Sequence, residues 1–441
     1  MINKFRKYIR VLALFIILFI TGTTLYGGED FDSHFTGQRL RLDVIFAGDA
    51  YSQSVFLEEL HKEPYWSGPR ENLTDPFNYG EYKYSVIDSS GKVIFSKGFN
   101  NLFQEWRTTA EAKNIKKAFN GSYHIPYPRE RVTVIFYERL KESGDFSELG
   151  RFPVDPDDKL ISSERQNTFK TDTILYNGDP ANKLDILFIA EGYTQDEMDK
   201  FRDDALRFSR YLFDIEPYKS RKSDINIWAL KSLSNESGTD IPHKDIWKNT
   251  VLSSNFYTFR IDRYLTAPNH KIVASAASNS HFDAMYVIVN TDIYGGGGIF
   301  NFYGLSMADH QLSAAVFVHE LGHSLAGLGD EYYSSAVAYE DFYNLKTEPW
   351  EPNLTTLVDF DSKWRDKIPT GTPIPTPNED IYKGVTGLFE GGGYMSKGIY
   401  RPYLDCRMKS NTAERFCPVC TEAINRMIDF YAGKAYLRRV E

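Results

Sequence analysis

Residues 318–333 read VHELGHSLAGLGDEYY, and the fold of this stretch decides how the rest of the chain is read. Take 311–326 as a helix. At about 100° per residue, His319 and His323 then sit one turn apart on one face. Two imidazoles so placed can reach a single tetrahedral ion, and Zn2+ is the ion this spacing suits. Glu320 lies beside them, able to hold a water on the ion without being a ligand. A buried helix carrying two histidines and a glutamate needs partners for them, and a metal supplies such partners. Asp309 is the expected N-cap. The stripe Ala314, Phe317, Leu321 and Leu325 would press the helix into a core. The competing reading is a coincidence of three fixed positions. An amphipathic setting, the small residues Gly322 and Ala326, and a glycine stop weigh against it.

A third ligand has to come from the chain beyond His323. Gly327 and Gly329 can end the helix in the left-handed conformation and turn the chain back beneath the ion. In metzincins the pattern is H-E-x-x-H-x-x-G-x-x-H, occasionally with Asp last. That register fails here, since it falls on Ala326 and Gly329. One residue later it works, with Gly327 and then Asp330. Asp330 is therefore the expected third ligand, and carboxylate oxygen is a normal zinc donor. Glu331 is the runner-up. Either could instead cap the helix end or bond to a ligand histidine. His310 and His281 are outside candidates.

Outward from this segment the chain divides in two. From about Gly37 to Phe152 the runs LRLDVIFAGD, EYKYSVIDSSGKVIFSKGF, GSYHIPYPRERVTVIFYERL and FSELGRFPV alternate like strands. Weak helical spacing appears near TAEAKNIKKAF. This reads as an N-terminal β-sandwich over 28–154, followed by a polar linker or boundary strand over 155–172. Beyond it the period changes. KLDILFIAEGYT, DINIWALKSL and FDAMYVIVNTD read as buried strands, and QDEMDKFRDDALRFSRYLFD as a helix with acidic first turns. That order implies an α/β domain over 173–441 with a largely parallel sheet. The expected class is α+β: a β-sandwich, then a zincin-like catalytic domain. GGIFNFYG is either an edge strand able to pair with extended substrate or a flexible loop. PTGTPIPTPNED reads as an exposed loop, and GLFEGGGYMSKGIYRP as a stretch of little regular structure. CPVCTEAINRMIDFYAGKAYLRR reads as an amphipathic helix burying Ile424, Met427, Ile428 and Tyr431.

The first residues carry Lys4, Arg6, Lys7 and Arg10, then an unbroken apolar run from Val11 to Ile20. This is the pattern of a secretory signal over 1–27, cut near Gly27, and the apolar run is short for a full membrane span. Removing it takes four positive charges from a net charge of −9, leaving −13. Such a chain should seek neither nucleic acid nor anionic membranes, and no stable membrane insertion is expected after cleavage. The three cysteines, Cys406, Cys417 and Cys420, crowd the C-terminal end. A structural staple is the favoured reading, as a local disulfide or a bond from Cys406 to either partner. A second metal site is the rival, weakened by having three cysteines and no nearby histidine.

HELGHSLAGLGDEYY, followed downstream by YRPYLDCRMKSN and FCPVCTEAI, resembles the bacterial IgA-peptidase-like metallopeptidases, a family similar to metzincins. The resemblance implies an N-terminal β-sandwich joined to a zinc-dependent catalytic domain. It would make Met408 the methionine of the turn beneath the zinc, where the bland alternative is ordinary core. Astacin-like metzincins place a tyrosine two residues later; here that position is Ser410, so Tyr400 or Tyr403 would have to stabilise the oxyanion instead. The family name reflects one member's substrate and does not extend to this chain. The expectation is an exported zinc endopeptidase acting on protein or peptide, with Glu320 as general base. Its rivals are a zinc amidase or exopeptidase on cell-wall or short peptides, and a glycan- or protein-binding surface protein with an inert zinc site.

Overall fold

The computed structural model describes residues 30–333 and 343–434, so the expected leader lies outside the described residues. The chain is α+β, with two β-sheets at the N-terminal end followed by a mixed sheet with helices on both faces. The first sheet has the order β2-β1-β5, formed by β1 (Phe35–Gly48), β2 (Gln53–Glu63) and β5 (Lys117–Pro128). The second has the order β4-β3-β6-β7, formed by β3 (Tyr82–Ile87), β4 (Val93–Phe99), β6 (Val132–Arg139) and β7 (Phe146–Val154). Between them lies an aromatic core that includes Phe46, Tyr84, Phe99, Tyr123 and Phe136. A short helix α1 (Phe31–His34) precedes β1. A second, α2 (Leu102–Arg107), follows β4. The weak helical spacing expected over 109–119 is thus misplaced: the helix lies earlier, and Lys117 already begins β5.

Strand β1 explains why the sandwich does not stand apart. Leu40, Leu42, Val44 and Phe46 alternate into the sandwich core, as the two-residue repeat of a strand requires. The intervening Arg39, Arg41 and Asp43 are buried too. Arg39 donates to the Ser278 carbonyl at 3.1 Å and lies 4.1 Å over the Phe282 ring, so this face packs on the second domain. Both guanidiniums converge on Glu63, Arg39 Nε at 2.7 Å and Arg41 Nη1 at 3.1 Å. The expected linker runs along the same sheet, Ser162 exchanging backbone hydrogen bonds with Leu60 and Lys62.

In the second domain the sheet order is β12-β13-β11-β9-β10-β8. Its parallel centre is β10 (Ile225–Leu230), β9 (Leu184–Glu191), β11 (Ala284–Val289) and β13 (Tyr303–Met307). Antiparallel β8 (Thr171–Leu175) and β12 (Gly296–Ile299) close the two sides. Every residue of β9 is buried, which is why its stretch 186–190 is apolar throughout, with the buried carboxylates Asp185 and Glu191 towards its ends. Helices α3 (Met198–Phe213) and α5 (Ser313–Ala326) share one face, with Phe317 5.0 Å from Phe208 and 5.9 Å from Phe188 between ring centroids. Helix α4 (His270–Ala277) covers the other face. C-terminal α6 (Pro418–Tyr431) buries Ile424, Met427, Ile428 and Tyr431, as its spacing implies.

Two local expectations are corrected. Asp309 does not cap α5: its carboxylate is held by Lys200 at 2.8 Å and Arg207 at 3.0 Å, and the helix starts later, after Leu312. The glycine-rich stretch expected to be irregular is a hairpin of β14 (Phe389–Gly392) and β15 (Met395–Arg401). Its glycines serve close packing rather than disorder. A Cβ on Gly391 would lie 2.5 Å from the Tyr333 ring, and one on Gly393 2.5 Å from the Tyr343 ring.

Removing Glu63 would leave two buried guanidiniums short of their shared acceptor. We expect Glu63→Ala to lower stability by about 3–5 kcal/mol, as broken buried ion pairs do. Denaturant midpoints would measure this, and a loss below about 1 kcal/mol would mean the cluster is not structurally coupled.

Candidate active site

Helix α5 is buried over most of its circumference, and His319, Glu320 and His323 are the half-buried residues of its last turns. The ring nitrogens divide their work. His319 Nδ1 lies 2.9 Å from the Arg407 carbonyl and His323 Nδ1 2.5 Å from the Leu328 carbonyl. A carbonyl only accepts, so each Nδ1 carries a proton, which leaves Nε2 as the ring atom that can give a lone pair once its own proton is lost. This is the tautomer that metal-binding imidazoles adopt. The two Nε2 atoms are 3.1 Å apart.

The chain then turns sharply. Gly327 has φ +62°, its amide bonds back to the Gly322 and His323 carbonyls, and the Leu328 amide also reaches Gly322. A side chain at Gly327 would meet Trp350 at 2.9 Å as well as the backbone strain of that φ. Asn353 holds the next residue but one at both ends, accepting from the Gly329 amide at 2.7 Å and donating to its carbonyl at 2.9 Å. This returns Asp330 to the histidines: its Oδ1 lies 3.1 Å from His319 Nε2 and 3.3 Å from His323 Nε2. Oδ1 is buried and has no hydrogen-bond donor beyond the two imidazoles. In a tetrahedral site with ligands at about 2.0–2.1 Å from the ion, neighbouring donors lie about 3.3 Å apart. The three atoms fit that spacing, so the donor set suits a divalent cation.

Glu331 points elsewhere. Its carboxylate lies among Cys406, Cys417 and Cys420 and not beside the histidines. The runner-up ligand is therefore not brought to the imidazole pair, because consecutive residues of an extended segment face opposite sides. His310 bonds the Leu312 amide, and His281 stacks on Tyr65, so neither joins the pair. Met408 is fully buried directly beneath the helix. A Cβ on Gly322 would lie 2.8 Å from its Sδ, and its carbonyl accepts from the Glu331 amide at 2.9 Å.

The site opens into a cavity of about 560 Å³. Glu320, Arg263, Tyr332 and Tyr394 line it, whereas Tyr400 and Tyr403 do not. Tyr400 pairs with Thr355 across a sheet edge, and Tyr403 packs in the core. Tyr394 was missed in the sequence because it sits in the glycine-rich hairpin. Its hydroxyl donates to Asp330 Oδ2, the oxygen turned away from the histidines. The hairpin grips the same turn by its backbone, the Gly393 amide reaching the Asp330 carbonyl at 2.7 Å and the Tyr394 amide the Tyr332 carbonyl at 3.0 Å. Glu105, from α2 of the sandwich, also lines the cavity and accepts from the Tyr264 hydroxyl. Burial pushes Glu105 up to about 7 against that hydrogen bond.

The electrostatics are set by burial and by the closeness of two imidazoles to two carboxylates. Burial raises Glu320, only partly countered by the histidines. Burial lowers His323, but Asp330 and Glu320 outweigh it and hold the imidazole up at about 9. Asp330 is held well below the ordinary carboxylate range: burial opposes this, and both histidines overcome it.

Strand β12 lies on the edge of the sheet beside the cavity, yet that edge is not free. The Gly296 amide donates to the Arg263 carbonyl at 3.3 Å, and the 263–265 segment runs along it. The glycines of β12 instead admit α5. A Cβ on Gly298 would lie 2.5 Å from the Glu320 carbonyl oxygen and 2.9 Å from His323 Cβ.

Backbone cannot yield as a side chain tip can, so Gly298→Ala must shift α5. We expect on the order of tenfold weaker metal binding with the fold retained, the range in which disturbed ligand supports fall. Calorimetric titration with Zn2+ would read it, and unaltered affinity would show that β12 does not set the histidines.

Comparison with known families agrees with this geometry. The IgA peptidase M64 model matches residues 173–383 and 378–428, and the model for the M64 N-terminus matches 30–149. No curated protein matches the chain. The two models cover the sandwich and the domain that carries the histidine pair, and the chain belongs to the IgA peptidase M64 family of metallopeptidases.

Proposed function

We propose that this metallopeptidase is a zinc-dependent endopeptidase in which His319, His323 and Asp330 hold the ion and Glu320 is the general base. The observation that carries the reading is the meeting of two Nε2 atoms and a buried carboxylate oxygen within 3.3 Å at the floor of an open cavity. Three protein donors leave a fourth position for chemistry. Zinc held there supplies a Lewis acid for the scissile carbonyl. Glu320 takes the proton of the attacking water and returns it to the leaving amine. Its elevated pKa suits a group that must first accept and then donate. Arg263 and Tyr332 face the same space and would donate to the developing oxyanion. Tyr394 and Asn353 position Asp330.

The cavity is lined by residues of the sandwich helix, such as Gln104 and Glu105, and of the segment after Met408, Lys409 to Asn411. An open cavity of about 560 Å³ has room for several residues of an extended peptide, which favours internal cleavage over trimming of chain ends. Among the described residues no helix is long and apolar enough to cross a membrane. The basic and apolar leader supports export of the chain, with cleavage near Gly27.

Glu320→Gln should lower peptide cleavage by about 10²–10⁴ with zinc retained, the usual worth of a general base. Cleavage at the wild-type rate would exclude Glu320 from that role. Tyr394→Phe should weaken zinc binding by about 10–100-fold, as loss of a ligand's own hydrogen-bond partner does. A panel of folded proteins against short peptides separates an endopeptidase from an amidase or exopeptidase. Activity confined to short peptides would remove the internal-cleavage assignment.

A further inference from the structure

The three cysteines form no disulfide, which corrects the staple expected from the sequence. Cys406 Sγ and Cys420 Sγ are 3.8 Å apart, where a bonded pair stands at about 2.05 Å. The missing fourth donor comes from far upstream. Glu331, 86 residues before Cys417, places its carboxylate 3.2 Å from Cys420 Sγ and 4.0 Å from Cys417 Sγ. The four ligand atoms all lie within 4.8 Å of one another, and all four residues are buried. We propose that Glu331, Cys406, Cys417 and Cys420 form a second, closed metal site for a thiolate-binding divalent cation such as zinc, separate from the histidine site.

Its geometry is that of such a site. Zinc–sulfur bonds of about 2.3 Å in a tetrahedron set sulfurs about 3.8 Å apart and a carboxylate oxygen about 3.5 Å from each sulfur. The first matches the observed separation, and the second falls between the two sulfur–oxygen distances. Glu331 Oε2 is fully buried and has no partner, while Oε1 takes only one amide, from Asn353 at 3.1 Å, besides the sulfurs. Two of the sulfurs accept backbone amides, as metal-bound thiolates do. The Cys417 amide donates to Cys406 Sγ at 3.2 Å, and the Cys420 amide to Cys417 Sγ at 3.4 Å, at the start of α6 where the helix dipole favours negative charge. Three thiolates and a carboxylate around a divalent ion leave a net charge of −2. Arg401, Arg407 and Lys409 act on this cluster electrostatically and offset it. Loading exchanges thiol protons, released to solvent, for metal–sulfur bonds, and no electrons move. With all four positions filled by protein, the role is structural: the ion would tie the turn after Asp330 to the Met408 loop and to α6.

Reduced, metal-free protein titrated with Co2+ reads the two sites separately, because sulfur ligation alone gives an intense sulfur-to-cobalt charge-transfer band. We expect two equivalents in the wild type. The double variant His319→Ala/His323→Ala should bind one equivalent and keep the band. The double variant Cys406→Ser/Cys420→Ser should lose one equivalent and the band. Should the serine variant fail to fold, the histidine variant still decides, since the band must survive in it. A wild type without the band, or a band lost with the histidines, would overturn the proposal. So would protein isolated without reductant that, once denatured and stripped of metal, yields one titratable thiol in place of three. Failure of the active-site reading looks different: the band stays and the equivalent without sulfur is missing.

Discussion

The turn from Gly327 to Glu331 is the constraint on which the rest depends. Helix α5 fixes two imidazoles, but two donors make no metal centre. The left-handed residue at Gly327 lets the chain double back within three residues and deliver a carboxylate to the same point. Everything around the turn works to hold it. Asn353 clasps Gly329, the hairpin β14–β15 bonds to the Asp330 carbonyl and carboxylate, and the Met408 carbonyl receives Glu331. Each of these contacts satisfies a buried polar group that would otherwise go unpaired, so the turn is determined several times over.

The legible and illegible parts of the site divide by distance along the chain. His319, Glu320 and His323 could be read because helical spacing alone fixes their relation. Asp330 could be read because two glycines limit where the chain can go next. The glycine register favoured it over Glu331, and the alternation of an extended segment turns the two carboxylates to opposite sides. Tyr394 and Asn353 reach the turn from other parts of the chain, and no local pattern announces them. The glycine-rich hairpin misled for a definite reason. Glycine lowers strand propensity in general, yet here its absent side chain is what lets Tyr333 and Tyr343 pack against the strand pair. The same limit hid the fourth member of the cysteine cluster. A search near the cysteines for a histidine could not find a glutamate held beside the histidine helix.

The domain division was clear from the change of period, but not its consequence. A β-sandwich with alternating strands suggests a separable module. The burial of Arg39, Arg41 and Asp43 on its outer face, and the place of Glu105 in the cavity lining, make it part of the cleft. Buried charge on a strand that ought to face water was the one sign of this available in the sequence, since LRLD alternates in a way that fits either a solvent face or an ionic interface.

The cavity takes residues from well-separated parts of the chain, Gln104 and Glu105 from the sandwich and Lys409 to Asn411 from beyond the histidine helix. During synthesis the sandwich contribution is made first, the helix that carries the histidines later, and the floor beneath it later still. Met408 can pack against Gly322 only after the chain has been extended past it. A nascent chain stopped before that point therefore has histidines but no formed cleft. For a peptidase, that order of assembly keeps hydrolytic capacity out of reach until the floor is in place.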